Sequence, residues 1–308
     1  MSLVEFAFAC RVKNHVSENL LALHDAVPEE IRNRSRLWYD GARKITEDWS
    51  EKYNLPDHSI AGVLAALSPQ KDWFQNVSLA ERILDAMRGN GGNFYKGFTT
   101  DNAMLDKLNS IPALAKHDGL ARLVKNKSLS DIDALDLSPD AKARAKAFWI
   151  RLHDETYNDK AHRLVTPEGG FGDFVTTDKG GLAKVGWGSL GEMAKGILAV
   201  EAANNPEQLS ELMGSRHKVR NFYNNILNPN SPNGDVTIDT HAVAAGLYRP
   251  LSGNSLEVSH NFKNHPGKGL PAAKGTAITG VQGLYPLYAE AYRRAANARG
   301  ILPREMQS

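Results

Sequence analysis

Between Asp57 and Ser68 the chain reads Ile60-Ala61-Gly62-Val63-Leu64-Ala65-Ala66-Leu67, eight residues without a polar side chain. A helix that is apolar all round, with small residues on every side, belongs at the centre of a core. Asp57 is the expected N-cap, and Ser68-Pro69 the stop. Other segments carry apolar residues at spacings of three and four, among them Met193, Ile197 and Val200, and Val219, Phe222, Tyr223 and Ile226. The period is helical, so the expected fold class is all-α. An apolar share of 42% and a charged share of 23% place the chain with ordinary globular proteins, which excludes wholesale disorder.

In chain order, residues 3 to 25 read as a helix. Pro28-Glu29-Glu30 opens a second, which runs to about Tyr53 with Ile31, Trp38, Ile45 and Trp49 inward. After the apolar helix come a polar turn, Ser68-Pro69-Gln70-Lys71-Asp72, and a helix from Trp73 to Arg88. Short helical segments fill 93 to 137, and Ser138-Pro139-Asp140 starts a longer helix in which Trp149 is a core residue. Eight glycines between Gly169 and Gly191 prevent a regular helix there. Residues 155 to 189 are therefore read either as a lid or specificity loop holding Phe171, Phe174 and Trp187, or as a hairpin through 174 to 180. Near the end, Ile278, Val281, Tyr285, Tyr288, Tyr292 and Ala295 form an amphipathic stripe interrupted by Pro286. Residues 301 to 308 read as a tail.

The stretch from Leu212 to Leu247 carries the chemistry. Gly214 ends one helical run, Ser215 is a good N-cap, and Arg216, His217 and Lys218 fall in the first turn of the next. Cations there oppose the helix dipole by roughly 0.3 to 1 kcal/mol each unless an anion docks. A polar loop, Asn228 to Gly234, leads to the apolar triplet Val236-Thr237-Ile238 and then Asp239-Thr240-His241, with Asp239 an N-cap candidate for a helix over 241 to 247.

A Leu-x-Gly turn, an early lysine, and an apolar triplet followed by Asp-Thr-His resemble the active-site hairpin of the helix-hairpin-helix DNA glycosylase superfamily, the endonuclease III type. Leu67-Ser68-Pro69-Gln70 resembles the start of the same domain. The resemblance implies a two-lobed helical fold with Gln70, Lys218 and Asp239 facing one cleft. It places Lys218 at the Schiff-base lysine, Asp239 at the catalytic aspartate, and Gln70 at the residue that fills the gap left by an extruded base. Lys71, Ser215, Arg216, His217, Arg220 and His241 become DNA contacts, and Trp73 and Tyr223 line the base pocket. The chain departs from the family in two ways. Arg216 stands in place of the second hairpin glycine, and the loop before Asp239 is longer. The expected organisation is N-terminal helices over 1–56, a catalytic region over 57–300 with 155–189 inserted, and the tail.

Breaking an N-glycosidic bond develops positive charge on the sugar, which a nearby carboxylate stabilises. An attacking amine must be neutral, a form favoured by flanking cations and a helix N-terminus. Extruding the base costs a few kcal/mol, which gives a plug a purpose. The chain also resembles phage amino acid:DNA transferases that hypermodify thymine, in which an amine displaces pyrophosphate from a modified base. There Arg216, Lys218 and Arg220 would hold the pyrophosphate and Asp239 would take the proton. That reading adds an amino acid or amine co-substrate. A non-catalytic DNA-binding protein is the third. Base excision is preferred because it uses Lys218 and Asp239 in matching roles.

With one cysteine, Cys10, neither an internal disulfide nor the four-cysteine iron–sulfur cluster of many endonuclease III relatives can form. No cofactor, no metal and no membrane partner are expected, and the expected state is a cytoplasmic monomer in a bacterium or phage-infected host. Net charge is only +2, yet 212–234 and 258–289 hold no acidic residue, which points to duplex DNA as partner.

Overall fold

The computed structural model describes residues 2–89, 92–214, 217–262 and 283–308, and these are mostly helical. By spatial contact the chain forms two units. One joins 1–43 to 215–308, and the other is the contiguous stretch 44–214. Among the described residues no helix is long and apolar enough to cross a membrane.

The first unit begins with α1 (Leu3–Ala26), α2 (Glu29–Ser35) and the start of α3 (Trp38–Tyr53). The single helix expected from Pro28 to Tyr53 is thus two, and Ile31, expected inward, is 57% exposed. The reason lies in composition: Ile31 is the only apolar residue between Glu29 and Arg36, so α2 has no face to bury. From Trp38 onward the spacing does form a stripe, and Ile45 and Trp49 are buried as expected.

In the second unit, α4 (Asp57–Leu67) is buried at every position from Ser59 to Leu67. Its cap is Pro56 rather than Asp57, because the extended proline is the last non-helical residue and Asp57 enters the first turn. Next come α5 (Trp73–Arg88), α6 (Gly92–Gly97), α7 (Asn102–Leu108), α8 (Pro112–Ala115), α9 (Asp118–Val124), α10 (Leu129–Asp133) and α11 (Pro139–Tyr157). Antiparallel β1 (Arg163–Val165) and β2 (Phe171–Phe174) are followed by α12 (Leu190–Glu201) and α13 (Pro206–Met213). Helix α12 lies directly on α4. A Cβ on Gly62 would stand 3.1 Å from the Ala199 Cβ, and the Ser59 hydroxyl donates to the Ala199 carbonyl at 2.7 Å. Small residues at this crossing are what let the two backbones meet.

The glycine-rich segment is a small β-structure. Val175 N–H donates to His162 O, Ala183 N–H to Val175 O, and the turn closes from Thr177 N–H to Gly181 O at 2.7 Å. A buried group fastens it to the helices: Asp154 accepts from Arg82 at 2.6 Å and from the Trp187 indole at 2.8 Å.

The first unit resumes with α14 (His217–Leu227), α15 (Thr240–Leu247), α16 (Leu256–Phe262), α17 (Tyr285–Arg299) and α18 (Pro303–Gln307). Helix α16 lies in a segment, 249 to 274, rich in Gly, Asn, His and Lys, whose composition alone suggests a polar loop. Pro286 does not interrupt α17 but lies in its first turn, where its missing N–H is harmless. Ile278, Val281 and most of the acid-free stretch 258–289 lie outside the described residues. The C-terminal residues, expected as a tail, form α18. Its buried Arg304 donates to Pro229 O, to Arg36 O at 3.1 Å and to Asn230 Oδ1 at 3.2 Å.

Candidate active site

The chain reaches Asp239 through residues 234–238, which belong to no helix or sheet, so side chains must satisfy their backbone. Asn221 Oδ1 accepts from Val236 N–H at 3.3 Å. The Tyr285 hydroxyl donates to Val236 O at 2.6 Å and accepts from Ile238 N–H at 2.9 Å. The Asn225 amide donates to the Thr237 hydroxyl at 3.1 Å, and the Asn224 amide to Asp235 at 3.1 Å. Val236 and Ile238 are fully buried. The apolar triplet, strand-like in its sequence, is therefore not a sheet strand, because its partners are side chains from α14 and α17.

This clamp delivers Asp239 to the N-cap of α15, where its carboxylate accepts from Ala242 N–H at 2.8 Å. The expected cap is correct, with the helix starting at Thr240. Tyr292 donates to Ala242 O at 2.8 Å and fixes the same turn. Burial, with the negative charge of Asp239 adding to it, holds the Tyr39, Tyr285 and Tyr292 hydroxyls above the ordinary tyrosine range. They therefore stay protonated at neutral pH. Asp239 itself is half-buried.

Lys218, also half-buried, is the second residue of α14. Spacings of three and seven put it on the helical face of Asn221 and Asn225, the face that holds Val236 and Thr237. Lys218 and Asp239 thus stand at two helix N-termini of one unit, and the helix bearing one clamps the segment leading to the other. Phe222 anchors α14 against Trp38 and Tyr39, with ring centres 5.9 and 6.3 Å apart. Arg220 lies with its guanidinium 5.9 Å from the Tyr223 ring, and Tyr223 is buried, which raises its hydroxyl. His241 is exposed in the first turn of α15. Ser215 and Arg216 lie outside the described residues, as does the side chain of His217. Just before them Gly214 ends α13 at φ +73° and ψ −178°, a conformation that only glycine adopts readily.

Gln70, Lys71 and Trp73 belong to the unit 44–214, so their setting is a separate matter. Lys71 N–H donates to Ser68 O at 3.3 Å, and Asp72 caps α5 by accepting from Gln75 N–H at 2.8 Å. Gln70 is exposed at the tip of this turn with φ +56°, an uncommon conformation for a residue with a side chain. Lys71 and Trp73 are half-buried. Asn76 donates to Leu64 O at 2.9 Å and holds the two helices flanking the turn together.

Sequence reasoning missed Tyr285, Tyr292, Asn221 and Asn225 as positioning residues. The asparagines did carry a signal: three of them inside one short helix, at 221, 224 and 225, are poor helix formers that need another reason to be there.

Compared with known proteins, residues 8–128 match a family of unknown function (DUF7178). That span contains Gln70 to Trp73 and stops short of Lys218 and Asp239. No curated protein matches the chain, and no solved structure does.

Proposed function

We propose that the chain acts on bases in DNA, and that it excises a base, with Asp239 stabilising the developing charge on the sugar and Lys218 attacking the anomeric carbon. The fold this reading carries is the two-lobed helix-hairpin-helix glycosylase type. The observation that supports it is the clamp: Asn221 and Asn225 of α14, the helix that carries Lys218, and Tyr285 and Tyr292 of α17 fix the backbone on either side of Asp239 at a helix N-terminus. A carboxylate needed only as a helix cap requires no such support. Gln70 would fill the stack after the base leaves, a role that its exposed place at the tip of a turn suits.

The test is mass spectrometry of free bases and nucleosides after incubation with DNA carrying normal, hydroxymethylated and pyrophosphorylated pyrimidines. Release of a free base, with borohydride trapping that disappears in Lys218→Gln, is the expected result. A heavier nucleoside that forms only with an added amine would replace excision by amine transfer. Full activity in Asp239→Asn would sink both.

A further inference from the structure

A cavity of about 380 Å³ lies wholly within residues 44–214, between one face of α5 and the β-hairpin. We propose that it binds a small organic cation, a primary ammonium or guanidinium on an apolar stem. The proposal is independent of the base-excision reading.

One wall of the cavity is α5. Phe74, Ser78, Glu81 and Asp85 recur at three and four and form one stripe along the cavity wall. Glu81 and Asp85 share a single counter-ion, Lys52, at 2.9 and 3.8 Å. Across the cavity Asp159 adds a third carboxylate, which accepts from Ala161 N–H at 2.8 Å.

Two cations also border the space, and both are engaged. Arg82 is paired with buried Asp154 at 2.6 Å. The Arg163 guanidinium lies 4.7 Å from the centre of the Phe174 ring. Three carboxylates thus face one shared lysine and one arginine already stacked on an aromatic face.

Four aromatic side chains also line the cavity: Phe74, Tyr95, Phe171 and Phe174. Phe171 and Phe174 are 47% and 43% exposed, although they sit on an ordered hairpin. Aromatic faces beside carboxylates are the environment that attracts an organic cation and repels a phosphate or a carboxylic acid. His162 also lines the cavity and is only 4% exposed, while its Nδ1 has no hydrogen-bond partner. In the tautomer of a neutral imidazole that carries its proton on Nε2, Nδ1 accepts a hydrogen bond, and an ammonium supplies up to three.

The experiment is calorimetric titration of the full chain with agmatine and with butylamine, using n-butanol and succinate as uncharged and anionic controls. Both amines should bind saturably and neither control should. Glu81→Gln, and separately Phe171→Ala, should weaken amine binding about tenfold or more, since each removes a direct contact. Lys52→Gln should strengthen it, because it removes the competing cation, and a gain of binding does not arise from misfolding. The proposal is overturned if neither amine binds the wild type, if succinate binds in preference, or if amine binding is unchanged in all three variants.

Discussion

Asp239 meets two demands with one side chain, since it caps α15 and is the carboxylate proposed to face a developing cation. The demands separate on substitution. Asparagine caps a helix as well as aspartate does but carries no charge. Asp239→Asn should therefore keep its denaturant midpoint within a few tenths of a kcal/mol and lose base release, whereas Asp239→Ala should also lose about 1 kcal/mol of stability. Paired melts and base-release assays would read both. Gly214 is a second residue whose conformation matters, because its φ and ψ admit little besides glycine. Gly214→Ala should destabilise by roughly 1 to 3 kcal/mol, measured by denaturant unfolding, and should weaken DNA binding by shifting the start of α14. At this scale the sequence was informative where signals were local. The Asp239 cap was legible because cap and partner are three residues apart, but Tyr285 lies almost fifty residues from the backbone it supports, and no pattern ties the two together.

Elements divided in the same way. Helices with a continuous apolar stripe, such as α4, α5 and α11, began and ended close to where their spacing and caps put them. The hairpin was ambiguous because its glycines exclude helix without choosing a register, and register was set by cross-strand bonds such as Ala183 N–H to Val175 O. Helix α17 shows what the tyrosine stripe is for. Tyr285, Tyr288 and Tyr292 are buried; the Tyr285 hydroxyl holds the approach to Asp239, and the Tyr292 hydroxyl holds the first turn of the helix after it. Tyr285→Phe leaves Val236 O and Ile238 N–H without their partner, and should cost about 1 to 3 kcal/mol while lowering activity without touching Asp239. The same tyrosines set an alkaline limit. Burial raises the folded-state values of all three, that of Tyr288 up to about 12. Their stabilisation is full below the unfolded tyrosine value of about 10, and it declines as pH rises from there towards the folded values. Equilibrium unfolding followed across pH 9 to 12 should show that decline as roughly linear, and less steep in Tyr288→Phe.

For the molecule as a whole, the net charge of +2 hides a strong local bias, since residues 212–234 carry no acid and contain Arg216, Lys218 and Arg220. Duplex DNA should bind with log K falling linearly in log salt, with a slope of about −0.9 per phosphate neutralised. Affinity across a salt series measures it, and a flat line would argue for a different partner. The two units also differ in how the chain builds them. One is contiguous, while the other joins 1–43 to 215–308, so that α1 packs on α15 and α17 from the far end of the chain. On the ribosome these parts mature in a fixed order. At roughly 5 to 20 residues per second the stretch from 215 onward takes on the order of 5 to 20 s to emerge. Until the last of it has emerged α1 lacks α17, and the clamp around Asp239 lacks Tyr285, Tyr292 and the anchoring Arg304. Stalled nascent chains released after residue 250 contain α15 but not α17, so they should resist protease over 44–214 while remaining more sensitive over 1–43 than the full chain, and they would carry Asp239 without the tyrosines that fix its backbone.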